Sequence, residues 1–359
     1  MKKLLSKLAV PLIQAPMAYA QGTALPAAVC RAGALGSLPA AMYTTEDLDR
    51  ALAELNRQTG GAPCNVNFFA HRQPETTVAQ REAWHHVLAP YLAEFGLGIE
   101  DIPESGGRRP FAAEDLAVLQ RHRPAVVSFH FGLPDDRLLS EVRRTGALIV
   151  GNATTVEEAQ WLERHGVDAV IAQGVEAGGH RGLFLERDLR NQSGLFALLP
   201  NIRRAVSLPV IAAGGVSDAA AVRAAVALGA DAVQCGTAFL LADEAEISPM
   251  YRAALQSPQA AHTVLTNLFS GGFARGIRNR FIDSAGPICP DALPFPLAGA
   301  ATGVLRRAAE HAGSNDFSSF WAGQNALSAC SGSAAEIVAG LAQGFAVSYS
   351  EPTRKDTRQ

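Results

Sequence analysis

Histidine is the side chain whose ordinary pKa lies nearest neutrality, so a histidine set among glycines is where chemistry is first sought. His180 stands in the segment AQGVEAGGHRG (172–182), which carries four glycines behind the apolar run DAVIAQG. Such an imidazole can ligate a metal, hold an anion, take a proton or simply satisfy its own loop. No CxxC pair occurs and no cysteine lies beside a histidine at zinc-ligand spacing, so no metal centre is expected. Two further glycine-bearing segments follow. AAGGVSD places Gly214 and Gly215 just ahead of a helix start, and QCGTAFL carries Gln234, Cys235, Gly236 and Thr237. Glycine lets a backbone approach an anion with no Cβ in the way, and N–H groups near a helix start attract phosphate. Together the two segments read as a phosphate cradle, against the alternative of two tight turns.

Neither GxxxxGK[ST] nor a strand-linked GxGxxG is present, which leaves a phosphosugar or FMN as the phosphate's carrier. Asn67 in CNVNFF and Gln173 in IAQG stand near strand ends and offer the donors and acceptors that a flavin's pyrimidine edge needs. Each is equally well read as a structural amide. His130 in VVSFHFG shares strand parity with Val126 and Ser128, and divides evenly between a place at the flavin and ordinary packing. Cys235 reads as a small core filler rather than a redox thiol. Arg181 reads as an anion attractor or an ion-pair partner, and His85 and His86 as solvated or packed residues.

These residues need a scaffold. Eight short apolar runs recur along the chain, at 11–16, 33–38, 64–69, 125–131, 147–152, 168–173, 209–214 and 231–236. Most are followed by a helical pattern, which favours a closed parallel α/β barrel of TIM type, with functional residues at the C-terminal ends of its strands. The helix at 44–61 starts on threonine caps and stops at a glycine pair; that at 154–166 carries a Thr-x-x-Glu capping box; that at 217–230 is read as capped by Ser217. Between the third and fourth strands, a helical insertion at about 75–122 is read as an extra hairpin that includes the polar turn at 103–110. The barrel is assigned to 1–240. Residues 241–350, helical in pattern with no clear strand series, are expected to cap its mouth, and 351–359 to be a disordered tail.

The composition excludes several classes. Apolar residues make up 48% of the 359 and charged residues 18%, with a net charge of −3. A large core is therefore within reach, and nothing basic enough to bind nucleic acid is present. The five cysteines, odd in number and far apart, read as buried thiols of a reducing compartment. Lys7 interrupts the short apolar run at the N-terminus, and no run approaches a membrane span, so a cytoplasmic protein is expected.

QAPM (14–17), GALGS (33–37), NVNFF (65–69), VVSFHFG (126–132), QGVEAGGHRG (173–182), LPVIAAGGVSD (208–218) and QCGTAFL (234–240) occur in that order. In this succession the chain resembles the nitronate monooxygenase family, formerly called 2-nitropropane dioxygenase. The resemblance covers about residues 10–240, and WAGQ (321–324) extends it into the tail. It implies one non-covalent FMN, contacted by Asn67, Gln173, Gly178, Gly215 and the segment Gln234–Thr237, with the QAPM backbone up to Met17 against the ring. It implies that His180 is the active-site histidine. Trp321 and Gln324 in the tail read either as closing the site or, for the tryptophan, as ordinary core. The implied reaction is oxidation of an alkyl nitronate, such as propionate 3-nitronate, by O2 to a carbonyl compound and nitrite, through a flavin semiquinone and a substrate radical. A nitronate is already deprotonated, so His180 would first position the anion and only secondarily act as a base toward neutral nitroalkanes. One departure stands out. Phe295 in PFPL occupies a segment where this family tends to carry tyrosine, which implies a more apolar pocket. The competing readings are an FMN-dependent quinone or enoyl-acyl carrier protein reductase driven by NAD(P)H, and a non-redox phosphosugar barrel. Monomer and homodimer are both compatible with the sequence.

Overall fold

The computed structural model describes residues 1–103 and 108–345. All eight apolar runs form strands: β1 (Leu12–Gln14), β2 (Gly36–Pro39), β3 (Cys64–Phe69), β4 (Val126–His130), β5 (Leu148–Ala153), β6 (Ala169–Gln173), and, after a two-residue strand β7 (Gly179–His180) outside the barrel, β8 (Val210–Ala213) and β9 (Ala232–Cys235). The eight pair in parallel in the order β1-β9-β8-β6-β5-β4-β3-β2. Ile13 and Leu35 bridge β1 to β2, bringing the two ends of the sheet together. Nearly every strand residue is buried, as expected where one face meets helices and the other fills the barrel. The interior is plugged from below. Leu5 of α1 (Lys2–Leu5) joins Ile13, Leu35, Val150, Ile171 and Ile211 in one apolar layer.

The outer ring begins with α2 (Ala24–Arg31) and α3 (Thr45–Thr59). α3 starts where the Thr44 side chain accepts a hydrogen bond from Asp47 N, and it ends at Gly60 in the left-handed conformation. The inserted segment contributes α4 (Val78–Ala93) and α5 (Ala113–His122). They do not form a self-contained hairpin: α5 packs with α3 and takes the regular ring position after β3, while α4 leaves the ring for the cap. Of the polar turn between them, residues 104–107 lie outside the described residues.

The ring continues with α6 (Asp136–Arg144), α7 (Val156–Arg164), α8 (Leu195–Ala205) and α9 (Ala219–Ala227). Two capping expectations are corrected here. Asp218, not Ser217, caps α9 by accepting from Ala221 N at 2.8 Å, which leaves Ser217 free to line a cavity. Thr155 caps α7, but Glu158 does not return the bond; its buried carboxylate accepts from Thr154 N, Thr154 Oγ1 and Phe184 N instead.

Past β9 come α10 (Pro249–Leu255), β10 (Thr263–Thr266), β11 (Ala274–Ile277), α11 (Arg280–Ala285), α12 (Ala298–His311) and α13 (Ala334–Ala342). The segment is thus mainly helical, but it also holds an antiparallel β10–β11 hairpin that no clear pattern announced. α4 and α12 pack together around Trp84, Leu88, Leu92, Leu268, Phe281 and Leu305, the core of the cap. α13 turns away from the mouth and packs against α2 and α9, in the eighth position of the ring. No helix among the described residues is long and apolar enough to cross a membrane, and residues 346–359 lie outside the described range.

Candidate active site

At the C-terminal ends of the strands, small apolar side chains give way to amides and hydroxyls. Asn67, Ser128, Asn152, Gln173 and Gln234, one each from β3, β4, β5, β6 and β9, line a cavity of about 390 Å³. Parallel register fixes their neighbours, with Asn67 opposite Ser128. Asn67 Nδ2 donates to Ser128 Oγ at 3.0 Å, which orients the amide. Gln173 is engaged at both ends. Its Nε2 donates to the His180 carbonyl at 2.9 Å, and its Oε1 accepts from Gly182 N at 2.9 Å. The strand-end amide therefore acts as a strut for the histidine's own segment.

Met17 lines the opposite wall with Ala15 and Pro16. Their loop is held by buried amides: Gln21 Oε1 accepts from Met17 N at 3.1 Å and from Gln14 Nε2 at 2.7 Å, while Gln14 Oε1 accepts from Ser37 N at 2.9 Å.

Gly178, Gly214, Gly215, Gly236 and Thr237 meet along one side of the cavity. Gly214 and Gly215 have φ of +114° and +71°, conformations that a side chain would strain. At Gly178, a Cβ would come within 2.6 Å of the Ala322 and Gly323 backbone. Thr237 Oγ1 accepts from Gly323 N at 3.0 Å, and Asn325 Nδ2 donates to Gly215 O at 3.2 Å, so the tail closes over the glycine loops. A bare backbone beside a helix start, facing a wall of amides, suits a flat heteroaromatic ligand with a phosphate tail. No group of three potential metal ligands occurs among the described residues.

His180 is not in a loose loop. β7 pairs antiparallel with β11, His180 opposite Ala274 and Gly179 opposite Arg275, in a three-stranded sheet shared with the cap. The imidazole Nε2 lies 2.7 Å from Ser270 Oγ. Aromatic rings surround it, with Phe295 at 5.1 Å and Trp321 at 5.5 Å between centroids. Burial, reinforced by the Arg108 charge and by His130 and His71, holds its pKa well below the ordinary 6.5, so the ring is neutral at neutral pH. His130 also reaches the site: its Nε2 bonds the His180 carbonyl at 3.1 Å, and burial pushes its pKa down to about 4.

Three expectations are corrected. Cys235 does not line the cavity; strand alternation turns Gln234 inward and packs the Cys235 side chain in the outer core. Gln324 is exposed, its backbone N–H donating to Glu176 O at 2.9 Å, and its neighbour Asn325 is the residue that lines the cavity. Arg181 is neither an anion attractor nor an ion-pair partner. It is buried beneath the loop and donates to Gly174 O, Gln173 O and Gln192 Oε1 at 2.6, 2.9 and 2.7 Å. Trp321 and Phe295 do stand beside His180, and His85 and His86 lie on α4, away from the cavity. Ser270, Tyr19, Arg108, Arg306 and Asn325 were not singled out from the sequence. They come from separate stretches with no shared motif, so only folding brings them together.

A family model described as "Nitronate monooxygenase" matches residues 1–344. A nitronate monooxygenase of Paraburkholderia phytofirmans is 40% identical over 338 residues, covering 92% of this chain and 91% of that protein. One of Pseudomonas aeruginosa is 42% identical over 338 residues, covering 93% and 95%. Among solved structures, nitroalkane oxidase from Streptomyces ansochromogenes superposes with a TM-score of 0.87 at 39% identity, covering 96% of this chain and 98% of that one. FabK from Thermotoga maritima is more distant, with a TM-score of 0.70 at 28% identity and coverage of 96% and 94%. With a matching model across nearly its whole length and relatives at this identity and coverage, the chain belongs to the nitronate monooxygenase family.

Proposed function

We propose that this enzyme oxidises alkyl nitronates with O2, releasing nitrite and an aldehyde or ketone, with FMN as its cofactor. The observation that carries the reading is a neutral, rigidly held His180 at the end of a cavity walled by bare glycine backbone and strand-end amides. Gly214, Gly215, Gly236 and Thr237 would hold the phosphate. Asn67, Gln234 and the Met17 loop would face the ring system, with Gln173 on the same wall. FMN held there would supply the redox chemistry that links nitronate oxidation to oxygen reduction.

The chain's own part is to place and desolvate the substrate. Ser270 Oγ accepts from Gly272 N at 3.3 Å, which leaves its own hydrogen for His180 Nε2 at 2.7 Å or for Gly272 O at 3.5 Å. The shorter bond wins on geometry. Nε2 is then an acceptor and the ring proton sits on Nδ1, which has no protein partner among the described residues. That N–H can donate to the oxygens of a nitronate, a charge-assisted bond. To remove a proton from a neutral nitroalkane, the ring must adopt the other tautomer and the hydroxyl must turn to its poorer partner. Anion positioning is therefore the easier task, and base catalysis the harder. Phe69 and Trp321 add apolar wall beside the imidazole.

The test is direct. Purified protein should be yellow, and should consume oxygen and release nitrite with ethylnitronate in the absence of NADH or NADPH. Colourless protein, or turnover only with a pyridine nucleotide, would overturn the reading. His180→Asn should reduce turnover of nitroethane far more than that of ethylnitronate, and equal losses would remove the proposed division of labour.

A further inference from the structure

The segment from Gln173 to Gly182 joins the glycine loops to the imidazole, and two of its side chains reach along it in opposite directions. Gln173 reaches forward, its Nε2 donating to His180 O and its Oε1 accepting from Gly182 N, both at 2.9 Å. Arg181 reaches back, its Nη2 donating to Gln173 O at 2.9 Å and its Nη1 to Gly174 O at 2.6 Å. Each side chain thus fastens the backbone on which the other stands. Arg275 of β11 extends the pattern, with Nε donating to Val175 O at 2.9 Å. The successive carbonyls of Gln173, Gly174 and Val175 therefore each accept from a buried guanidinium.

Stability alone does not call for this arrangement. Arg181 is only 1% exposed and forms no ion pair among the described residues. Burial pulls its pKa down to about 10 against the opposing charges of Glu158 and Glu176, so the guanidinium stays charged at neutral pH. A buried charge held by neutral oxygens carries a desolvation cost that an apolar chain of similar length avoids. What the arginine adds is orientation, because its planar fork of donors fixes several acceptors at once.

The acceptors belong to different parts of the site. Gly174 O and Ala177 N both lie 3.1 Å from the point that a Cβ on Gly214 would occupy, so the carbonyl held by Arg181 stands directly behind a glycine of the cradle. At its other end, Arg181 N donates to Phe273 O at 2.8 Å, next to His180 in the chain. The guanidinium also reaches Gln192 Oε1 at 2.7 Å, Gln192 Nε2 donates to Thr154 Oγ1 at 3.3 Å, and Thr154 Oγ1 donates to Glu158 Oε2 at 2.8 Å. Glu158 Oε1 accepts from Phe184 N at 2.7 Å, so the path leaves the segment at Arg181 and returns just beyond it. We propose that Arg181 is a positioning residue that holds the phosphate cradle and His180 as one unit, so that losing the guanidinium loosens flavin binding and the imidazole together. The proposal rests on the reading of the cavity as a flavin site, and its test keeps the clasp, the cofactor and the reaction apart.

Arg181→Met and Arg181→Lys are compared with Leu52→Ala, which empties space at a buried position of α3 in the outer ring and destabilises the protein without touching the segment. Flavin-stripped Arg181→Met should bind FMN at least about tenfold more weakly than the wild type by titration calorimetry. In holoenzyme with isotope-labelled histidine, the His180 signal, assigned by its loss in His180→Asn, should titrate closer to pH 6.5 as water reaches the ring. Arg181→Lys keeps the charge but cannot bridge both carbonyls, so it should show the same two effects at smaller size, and it carries the test if the methionine variant does not fold. Leu52→Ala should lower the melting temperature and move neither quantity. An unchanged FMN affinity or His180 titration in the Arg181 variants, or shifts no larger than those in Leu52→Ala, would overturn the clasp. Wild-type protein that takes up no FMN would overturn the clasp and the cofactor together. Both Arg181 effects in a protein that oxidises neither ethylnitronate nor nitroethane would keep the clasp and overturn the proposed function instead.

Discussion

At the scale of single residues, the state of His180 follows from its burial and from its neighbours. Ser270 addresses Nε2, and burial first, with the Arg108 charge and His130 and His71 adding to it, keeps the ring uncharged. The sign of the pH effect follows directly. A depressed pKa means that the ring is neutral above that pKa and gains a proton only below it, so an acid limb due to His180 in kcat/KM for nitroethane, where the ring must accept a proton, falls below pH 6.5. A hydroxyl donating to Nε2 favours the neutral ring. Removing it in Ser270→Ala should move that limb upward toward 6.5, while Ser270→Thr should leave it in place. A limb at or above 6.5 in the wild type, or one unmoved in the alanine variant, would show that Ser270 does not set the protonation of this ring. Much of this site is legible in the chain because its parts are local. Asn67, Gln173, the glycine pairs and His180 announce themselves by type and by position after an apolar run. Ser270, Arg108 and Arg306 have no such signature, since each is brought beside His180 only by folding, from stretches far away in sequence.

At the scale of elements, the eight barrel strands are legible because both faces are buried and their residues are mainly apolar, with polar side chains concentrated toward the C-terminal ends. The β10–β11 hairpin is not, because TVLT and ARGI are short, half polar and joined through glycines. β7, with two residues, has no periodicity to read. α4 shows how an insertion gains a place in the fold. It starts at Thr77 and Gln80 with a reciprocal cap and accommodates Pro90, and it buries Trp84, Leu88 and Leu92 against α12 and the segment around Leu268. Leu88→Ala should therefore destabilise the protein by about 2–5 kcal/mol. Val78→Ala, at an exposed position on the same helix, should change stability by no more than about 0.5 kcal/mol. Denaturant midpoints of the two variants check the contrast, and similar shifts in both would mean that the α4–α12 contact contributes little.

At the scale of the whole molecule, the chain leaves the barrel after β9, builds the cap, and then returns. α13 lays Ala334, Val338 and Leu341 over the faces of α2 and α9. The sequence shows 241–350 as helical in pattern but not where its last helix packs, because an apolar stripe does not say which surface it covers. A chain ending before Ser333 should lose about 4 kcal/mol of burial from those side chains and expose the ring. Its melting temperature should fall by several degrees even though the cavity-lining residues are all retained. An unchanged melting temperature would show that the ring is stable without its eighth helix.

The pairing of β7 with β11 constrains more than position. Ser270 meets the imidazole through its side chain, and Ala274, four places on, pairs with the backbone of the same histidine. The intervening residues close a short circuit whose circumference is counted in peptide units. Letters within it can change as long as that count is kept. Adding or removing one residue between Ser270 and Ala274 would shift the hydroxyl relative to the ring by a full residue's span, more than the tolerance of a 2.7 Å contact. In this enzyme the hairpin works as a ruler, and its length is a functional quantity in its own right.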